Sequence, residues 1–464
     1  MTCAKLVRAE RVAVLIDGAA YFRVLLDAFR RARRRITIVA WDFDPRVRLV
    51  PDMPETELRT LLPTLVSASP ELRVRVLVWD VAPLYGSSRT IGLLVDRDWH
   101  RHERIDLVFD GHHPPGAAHH EKLVCIDDSL AFAGGIDLTI GRWDTPAHPA
   151  EDARRAEAAG EPHGPVHDLQ LLVAGPAAAE LARVAHARWA DASEEPVEPL
   201  PPRPAAELWP ADTPVWLRNV PVGIARTRPR LASRAPITEI AALNDAALAA
   251  ARDTVYIETQ YLTAQRVADR LVSLLERGAD APEIVVIVWE SATGWIERFA
   301  MGANRERMLR RLAAADSHRR LRVYKLVADD DADVEVAMHS KLVIVDDRFA
   351  RIGSSNLNNR SLGVDTECDV AIEARDAETR TAIRELRDRL LAEHLRCSPD
   401  DVRRAVAACG LIGAVDALNA RGGRLRSHVV DPGAGPAEPI PGTALLDPDE
   451  PLDLDWLRRR LPPL

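Results

Sequence analysis

The chain has 464 residues, of which 28% are charged and 47% are apolar, and its formal net charge is −9 at pH 7. It is long enough for two or three domains with large cores, and its composition is that of an ordinary soluble protein. The acidic balance argues against a nucleic-acid partner, because neutralising phosphates requires clustered Lys and Arg side chains.

Targeting and metal-binding signals are missing from the sequence. It shows no charged-then-apolar leader with a small-residue cleavage site and no run of 18 apolar residues. We therefore expect a cytoplasmic protein that can lie peripherally at a membrane. The five cysteines are odd in number and lack close metal spacing, which favours a reduced protein. No zinc or calcium loop is visible, so we expect no metal and no cofactor.

In the first part of the chain, helical and strand patterns alternate. Apolar residues from Phe22 to Phe29 recur at helical spacing. Apolar, β-branched runs then predict strands at 36–41, 74–79 and 105–109. A fourth strand is predicted at Leu123–Ile126, and the turn signal Asp127-Asp128 follows it.

The same order of elements returns in the second part. A helical pattern at 240–247 precedes predicted strands at 254–261, 284–289, 321–327 and 342–345. Equivalent positions lie about 219 residues apart, which indicates an internal duplication. The predicted fold class is α/β, with two tandem, pseudo-symmetric α-β-α sandwich halves that contain mixed sheets and share a site at their interface.

Composition also suggests the domain boundaries. We predict an N-terminal half at 1–192, a Pro-rich linker at 193–215, a C-terminal half at 216–395, and a C-terminal helix with an irregular tail at 396–464. The linker is dense in Pro, Ala and acidic residues, which indicates a semi-rigid linker or a surface wrap. Ser398, followed by Pro399 and two acids, is a good helix start, and that helix should end near Asn419.

A short motif occurs once in each half. His and Lys two residues apart are followed by four apolar residues, an Asp, six residues, and Gly-Gly or Gly-Ser; the copies are His120, Lys122, Asp127 and Gly134-Gly135, and His339, Lys341, Asp346 and Gly353-Ser354. Residues two apart on a strand share a face, so each imidazole should point with its ammonium. Lys holds anionic oxygens and His titrates near neutral pH, which suits attack on a phosphate. Each half supplies only one pair, so the halves must face each other.

The other motif residues have separate expected roles. Asp127 and Asp346 are counted with the catalytic motif, but they lie at the turn, on the opposite strand parity from the lysines. Geometry therefore suggests that they brace the hairpin and do not touch substrate. At Gly135 and Ser354, the Gly-Gly and Gly-Ser pairs would let backbone N–H groups approach a phosphate closely, because no Cβ intervenes.

The duplicated motif resembles the signature of the phospholipase D superfamily. The similarity covers roughly residues 10 to 395. It extends to segments typical of the phospholipid-cleaving branch, which are 134–144, 167–170, 255–261 and 356–369. The resemblance implies a two-step mechanism through a phosphohistidine. His120 would be the nucleophile, and His339 would protonate the leaving alcohol and then activate water.

Further roles follow from the same resemblance. Lys122, Lys341 and Asn356 would hold the nonbridging phosphate oxygens. Asp137, which replaces the Asn common in other branches, is assigned to the phosphate with less support. Asp168 and Glu367 would orient the two histidines, as carboxylates do for a catalytic His.

The expected reaction is hydrolysis of a glycerophospholipid such as phosphatidylcholine to phosphatidate and a free head group, with transfer to alcohols. The expected protein is a monomer that meets its substrate at a membrane surface. A phosphatidyltransferase, such as a cardiolipin or phosphatidylserine synthase, would use the same residues. A nuclease is disfavoured by the acidic charge. A non-enzymatic lipid-binding scaffold would tolerate loss of a His or Lys, and none is lost.

Two local questions stay open in the sequence. His148 and His163 lie in a predicted mobile loop at 145–164 and are either substrate contacts or, as we favour, exposed loop histidines. The segment around Trp295 is either a lip that enters lipid or a core-facing helix.

Overall fold

A computed structural model describes residues 2–81, 98–156, 162–231, 234–290, 302–329, 331, 333–428, 430 and 446–451. The strands are β1 (Lys5–Ile16), β2 (Arg35–Ala40), β3 (Arg73–Trp79), β4 (Ile105–Asp110), β5 (Leu123–Ile126), β6 (Leu130–Gly134), β7 (Val166–His167), β8 (Leu169–Ala174), β9 (Leu217–Arg228), β10 (Ile237–Thr238), β11 (Thr254–Thr259), β12 (Glu283–Val288), β13 (Leu321–Leu326), β14 (Ala337–Met338), β15 (Lys341–Val345), β16 (Phe349–Gly353), β17 (Glu367–Glu373) and β18 (Leu425–Ser427). The helices are α1 (Asp17–Arg31), α2 (Leu58–Ala68), α3 (Pro176–Ser193), α4 (Ala205–Leu208), α5 (Glu239–Ala249), α6 (Gln265–Leu275), α7 (Ala303–Ala315), α8 (Asn359–Gly363), α9 (Ala377–Leu395) and α10 (Pro399–Asn419).

The sheet repeats one strand order in the two halves. In the first half the order is β1-β8-β6-β5-β2-β3-β4, and in the second it is β9-β17-β16-β15-β11-β12-β13, with β18 added at the outer edge. Strands β1 and β9 pair antiparallel, so the two mixed sheets form one continuous sheet. The predicted duplication and fold class are confirmed, and the edge-to-edge union of the sheets is an additional feature.

Helices cover both faces of this sheet. One face carries α3, α9 and α10 over a core that runs through both halves. The other face carries α1 and α2 in the first half and α5, α6 and α7 in the second. Because side chains alternate along a strand, Ile38 packs on one face while the adjacent Val39 packs on the other. Both faces are therefore buried, as the uninterrupted apolar strands predict.

Two equivalent hairpin turns stand at the ends of β5 and β15. The first two residues of each turn, Asp127-Asp128 and Asp346-Asp347, have positive φ. The Asp127 carboxylate accepts the backbone N–H groups of residues 33, 34 and 35 at 2.8–2.9 Å. The Asp346 carboxylate accepts those of residues 252, 253 and 254 at 2.7–2.9 Å. Both aspartates therefore brace turns, and counting them with the catalytic residues is wrong, because their oxygens are held by backbone amides.

The segment between the halves wraps around the first half. The backbone N–H of Leu200 donates to Asp128 at 2.9 Å, and Arg203 pairs with Asp127 at 2.5 Å. Trp209 is buried in the core of the first half. After the second half, α10 begins at the predicted cap, where Ser398 and Asp401 form a capping box, and it ends at Asn419. Within the described residues, no helix is both long and apolar enough to cross a membrane.

Candidate active site

Two short backbone pairings bring the halves together at the motifs. β7 pairs in parallel with β14, and the N–H of His339 donates to the carbonyl of His167 at 2.8 Å. The equivalent contact in the other direction is a parallel bridge between His119 and Thr366, and the N–H of His120 donates to the Thr366 carbonyl at 3.0 Å. The backbone of each motif histidine is therefore hydrogen-bonded to a residue of the other half.

The side chains of the two motif histidines also contact residues of the other half. The Nδ1 atom of His339 lies 2.6 Å from Oδ2 of Asp168, which belongs to the first half. The Nδ1 atom of His120 lies 2.9 and 3.0 Å from the two carboxylate oxygens of Glu367, which belongs to the second half. Donation from Nδ1 fixes each ring and leaves Nε2 free for chemistry. Each half thus orients the histidine of the other half.

The glycine pairs serve the carboxylates and do not present amides to a phosphate. A Cβ on Gly135 would lie 2.1 Å from Oδ1 of Asp168, so only glycine leaves room for that side chain. The N–H groups of Gly135 and Ser354 are donated to backbone carbonyls of the adjacent strands, at 3.0 and 3.2 Å. The Ser354 hydroxyl donates to Glu367. The predicted phosphate role of Gly135 and Ser354 is therefore wrong, because their N–H groups are already satisfied.

Asp137 is also placed differently from its predicted role. Its Oδ2 lies 3.0 Å from Nζ of Lys122, and its Oδ1 accepts the N–H of Trp41 at 3.1 Å. A carboxylate offers no donor to a phosphate oxygen, whereas it holds an ammonium well. Asp137 therefore positions Lys122 and does not serve as the phosphate ligand that the sequence suggested.

Lys341 has a different environment from Lys122. It donates to the carbonyl of His339 and lies 3.5 Å from Oε1 of Gln260, and no carboxylate of the described chain pairs with it. Burial lowers the pKa of Lys341 to about 7, and the nearby charges of Lys122 and Arg142 act in the same direction. Asn356 is buried, and its Oδ1 has no hydrogen-bond partner among the described residues. Lys341 Nζ also lies 3.1 Å from Nδ1 of His339.

Both imidazoles lie in an environment that disfavours their protonation. Burial lowers the pKa of His120 well below its usual value, and Lys122 and Lys341 lower it further. The pKa of His339 is lowered by burial and then by Lys341 and Arg142. Burial also raises the pKa of Glu367 and brings that of Asp168 to about 7. An anion bound beside Lys122 and Lys341 would favour protonation of the imidazoles.

Three residues at the site were not assigned a role from the sequence. The Trp41 ring stands 6.4 Å from that of His120 and 5.9 Å from the Lys122 ammonium. Gln260 lies beside Lys341, and it occupies the position equivalent to Trp41, 219 residues later. Extending the repeat offset from the histidines would have found this pair. The charge of Arg142 acts on His339 and Lys341; its segment, 134–144, is part of the resemblance, but this residue was assigned no role from the sequence.

The two questions left open by the sequence, on the loop histidines and on the segment around Trp295, have different outcomes. The favoured assignment of His148 to the exposed loop is wrong, because its side chain is completely buried against Asp144 and Glu393. His163 is half-buried and bonds the carbonyl of Gly164. Trp295 lies outside the described residues.

Comparison with known proteins agrees with this architecture. Residues 245–390 match the family model described as "Cardiolipin synthase, PLD-like domain". The chain is 23% identical over 441 residues to phospholipase D A of Dictyostelium discoideum, covering 79% of this chain and 33% of that protein. It is 24% identical over 484 residues to phospholipase D alpha 1 of Carica papaya, covering 75% of this chain and 60% of that protein. This chain therefore spans between a third and three fifths of these relatives.

A solved structure shares the fold over nearly the whole length. It is the phosphatidylserine synthase of Haemophilus influenzae Rd KW20, with a TM-score of 0.56, 14% identity, and coverage of 89% of this chain and 96% of that one. The fold and the site define a duplicated α/β protein with a paired His and Lys centre. The matched family model and these relatives support the phospholipase D superfamily as the family of this chain.

Proposed function

We propose that this protein is a phosphodiesterase of the phospholipase D type. It cleaves the distal phosphodiester bond of a glycerophospholipid, and the products are phosphatidate and a free head group. The observation that carries the proposal is the exchanged pairing of His120 with Glu367 and of His339 with Asp168. This arrangement leaves both Nε2 atoms beside two lysines. That of His120, unprotonated, can attack an anionic phosphate, and that of His339, protonated once the anionic substrate is bound, can assist the leaving group.

In the first step, Nε2 of His120 attacks the phosphorus atom and forms a P–N bond. The bond from phosphorus to the head-group oxygen breaks, and that oxygen takes a proton from His339. Glu367 stabilises the positive charge that develops on the His120 ring. Lys122, Lys341 and the amide of Asn356 bind the nonbridging oxygens, where charge accumulates during attack. The lowered pKa of His120 keeps its imidazole uncharged, as a nucleophile must be.

In the second step, the leaving alcohol departs and water enters next to His339. The imidazole of His339 takes a proton from this water as its oxygen attacks phosphorus. The P–N bond breaks, which releases phosphatidate and restores the neutral ring of His120. His339 regains the proton that it gave away in the first step, so the enzyme returns to its starting state.

A phosphatidyltransferase is the second candidate, because the matched family model is described by cardiolipin synthase. The same residues would act, but an alcohol bearing a second head group would replace water in the second step. The two candidates differ only in the acceptor that reaches the phosphohistidine. The pocket beside His339 would therefore decide the outcome, by positioning water or a particular alcohol.

A lipid panel with added alcohol tests the proposal. Short-chain phospholipids with different head groups are incubated with and without about 0.2 M ethanol, and products are measured by mass spectrometry. Since water is present at roughly 55 M, capture of a tenth of the product by alcohol requires a positioning advantage. We expect phosphatidylethanol to form at the expense of phosphatidate, with head-group release nearly unchanged. Phosphatidate alone at every alcohol concentration would contradict a covalent intermediate.

A matched pair of variants provides the control. His120→Gln should abolish head-group release, whereas His318→Gln, at an exposed position on the surface, should retain it. Products formed only when glycerol lipids serve as acceptors, with little hydrolysis, would select the transferase instead.

A further inference from the structure

A second cluster of titratable side chains lies in the core, apart from the four His and Lys residues of the motifs. It contains Asp17 at the start of α1, His148 from the loop after β6, His167 in β7 and Glu393 near the end of α9. The first three are completely buried and Glu393 is nearly so. One potential ligand atom from each residue lies within 4.8 Å of all the others.

Four distances between these atoms, two of them from different oxygens of Asp17, lie near those of a tetrahedral coordination shell. Nε2 of His148 lies 3.6 Å from Asp17 Oδ2 and 3.2 Å from Glu393 Oε1. Nδ1 of His167 lies 3.0 Å from Asp17 Oδ1 and 3.1 Å from Glu393 Oε1. Four donors at about 2.0–2.1 Å from a zinc ion are roughly 3.4 Å apart. Small rotations of the Asp17 carboxylate would bring the observed atoms to that geometry.

On each ring, the nitrogen that points away from the cluster lies beside a carboxylate, as is common for metal-ligating histidines. The outward nitrogen of His148, Nδ1, lies 2.9 Å from Asp144 Oδ2. The outward nitrogen of His167, Nε2, lies 3.2 Å from Glu258 Oε2. Metal-ligating histidines generally donate their other ring N–H to a carboxylate, which fixes the tautomer and raises the basicity of the ligating nitrogen. With those N–H groups donated outward, each ring would present its other nitrogen to Asp17 and Glu393.

Unsatisfied atoms and excess negative charge remain inside the cluster. Oδ2 of Asp17 and Nδ1 of His167 are buried and make no hydrogen bond of acceptable geometry among the described residues. Four carboxylates contact the two rings, and the cations beside them are Arg155, near Asp144, and Arg424, whose charge faces Glu393 and Asp17. Two negative charges are therefore left for protons on the two rings or for a bound dication to balance, because burying them unpaired would be costly.

We propose that these four side chains bind one divalent transition-metal ion, zinc by ligand type, as a structural site. Two imidazoles and two carboxylates are borderline-hard ligands that suit zinc in four-coordinate geometry. All four positions are supplied by the protein, so the ion has no open position for a substrate. The proposal is separate from the proposed catalytic function, which uses other side chains.

The ion would join the two halves directly behind the active site. Three ligands come from the first half and Glu393 comes from the second. His167 precedes Asp168, the partner of His339, and the His167 carbonyl accepts the N–H of His339. The site would therefore hold the segment that carries Asp168 against the segment that carries His339.

The first experiment uses the full-length wild-type protein, freed of any affinity tag and expressed with zinc in the medium. Elemental analysis should find about one zinc per chain. After prolonged exposure to a strong chelator, the unfolding temperature should fall, and added zinc should restore it by mass action. Titration of the stripped protein with zinc should release protons, because a histidine must lose the proton from its ligating nitrogen to bind a metal.

Variants locate the ion. Glu393→Gln keeps the side-chain shape but removes one anionic ligand, and zinc affinity should fall at least tenfold. His186→Gln is the matched control, since His186 is also buried and contacts a carboxylate, Asp128 at 3.2 Å, on a different element. This control should keep its zinc. Cobalt substituted into the wild-type protein should give the visible absorption of a four-coordinate ion, a measurement that requires no variant.

Two results would overturn the proposal. Wild-type protein with less than about a tenth of a zinc per chain, and with no zinc binding on titration, would show that protons alone balance the cluster. Zinc that is retained equally by Glu393→Gln and by the control would place the ion elsewhere in the chain.

Discussion

At the scale of single residues, the two lysines of the site are equivalent in sequence but not in environment. Lys122 is paired with Asp137 at 3.0 Å, whereas Lys341 lies 3.5 Å from the uncharged side chain of Gln260. The carboxylate at position 137 therefore holds the Lys122 ammonium, whereas Lys341 has no carboxylate partner among the described residues. Residue type and spacing predicted both lysines, but not this asymmetry, because a sequence does not identify spatial partners.

The pH dependence of activity follows from Lys341. The groups whose charges act on it include Asp168, Lys122, Arg142 and Glu367. A lysine with a pKa of about 7 is charged below that pH and neutral above it, so binding of an anionic substrate should weaken as pH rises through 7. We expect kcat/KM on a dispersed short-chain lipid to fall above about pH 7, whereas kcat falls at higher pH because bound phosphate retains the proton.

Lys341→Arg provides the check on this assignment. The guanidinium stays charged, so the alkaline fall in kcat/KM should move upward in pH, whatever activity remains. A profile that is unchanged in the variant, or flat between pH 6 and 9 in the wild type, would contradict the assignment to Lys341.

Glu367 is expected to act through the His120 ring. In Glu367→Gln the amide still fills the space but cannot stabilise the developing imidazolium charge. We expect kcat to fall roughly 10²- to 10⁴-fold with little change in KM. Stopped-flow measurement of head-group release, with an activated leaving group, should show the loss in the first step. A variant that loses affinity but keeps its rate would place Glu367 in substrate binding instead.

At the scale of elements, the eight predicted strands lie close to observed ones, because their apolar runs are continuous and end at turn residues. The sequence patterns did not predict β1, β6, β8, β9, β16, β17 and β18. Strand β5 has the predicted bounds, and α10 begins and ends where its cap and its glycines indicate. The isolated segments at 166–167 and 337–338 were not predicted, since two-residue strands have no periodicity. They matter most for the site, because they carry the main chain up to Asp168 and His339.

The hairpin aspartates supply a prediction about stability. Asp346→Ala leaves three backbone donors without their acceptor, so it should lower the free energy of unfolding by about 2–4 kcal/mol. Activity per folded molecule should be nearly unchanged, because this carboxylate braces a turn. Urea unfolding with parallel assays measures both quantities. Asp253→Asn, at an exposed neighbouring side chain, is the control and should change stability by less than about 0.5 kcal/mol.

At the scale of the whole molecule, the duplication was visible in the sequence because motifs and strands recur at one offset. How the halves meet was not visible. The pairing of β1 with β9 and the exchange of carboxylates between halves are contacts between distant positions. The cluster of Asp17, His148, His167 and Glu393 was missed for the same reason, since its members are scattered over the chain.

Dividing the chain tests this dependence between halves. Residues 211 and 212 are exposed and lie after the wrap that ends at the buried Trp209. Fragments 1–211 and 212–464 should each be inactive, because each lacks the carboxylate that orients its histidine and leaves an edge strand unpaired. Co-expressed fragments should co-purify and release head groups. Activity from one fragment alone would contradict the exchanged arrangement.

The most direct test of the central claim is to trap the covalent intermediate and map its position. His339→Ala is mixed with a short-chain lipid whose leaving group needs no protonation, quenched in base, digested and analysed by mass spectrometry. Without His339 no group activates water, so phosphatidyl adduct should accumulate on the peptide that contains His120. His120→Ala, treated identically, should carry no label. Label on His339 of the His120→Ala variant, or none in a correctly folded His339→Ala variant, would contradict the assignment of His120 as the nucleophile.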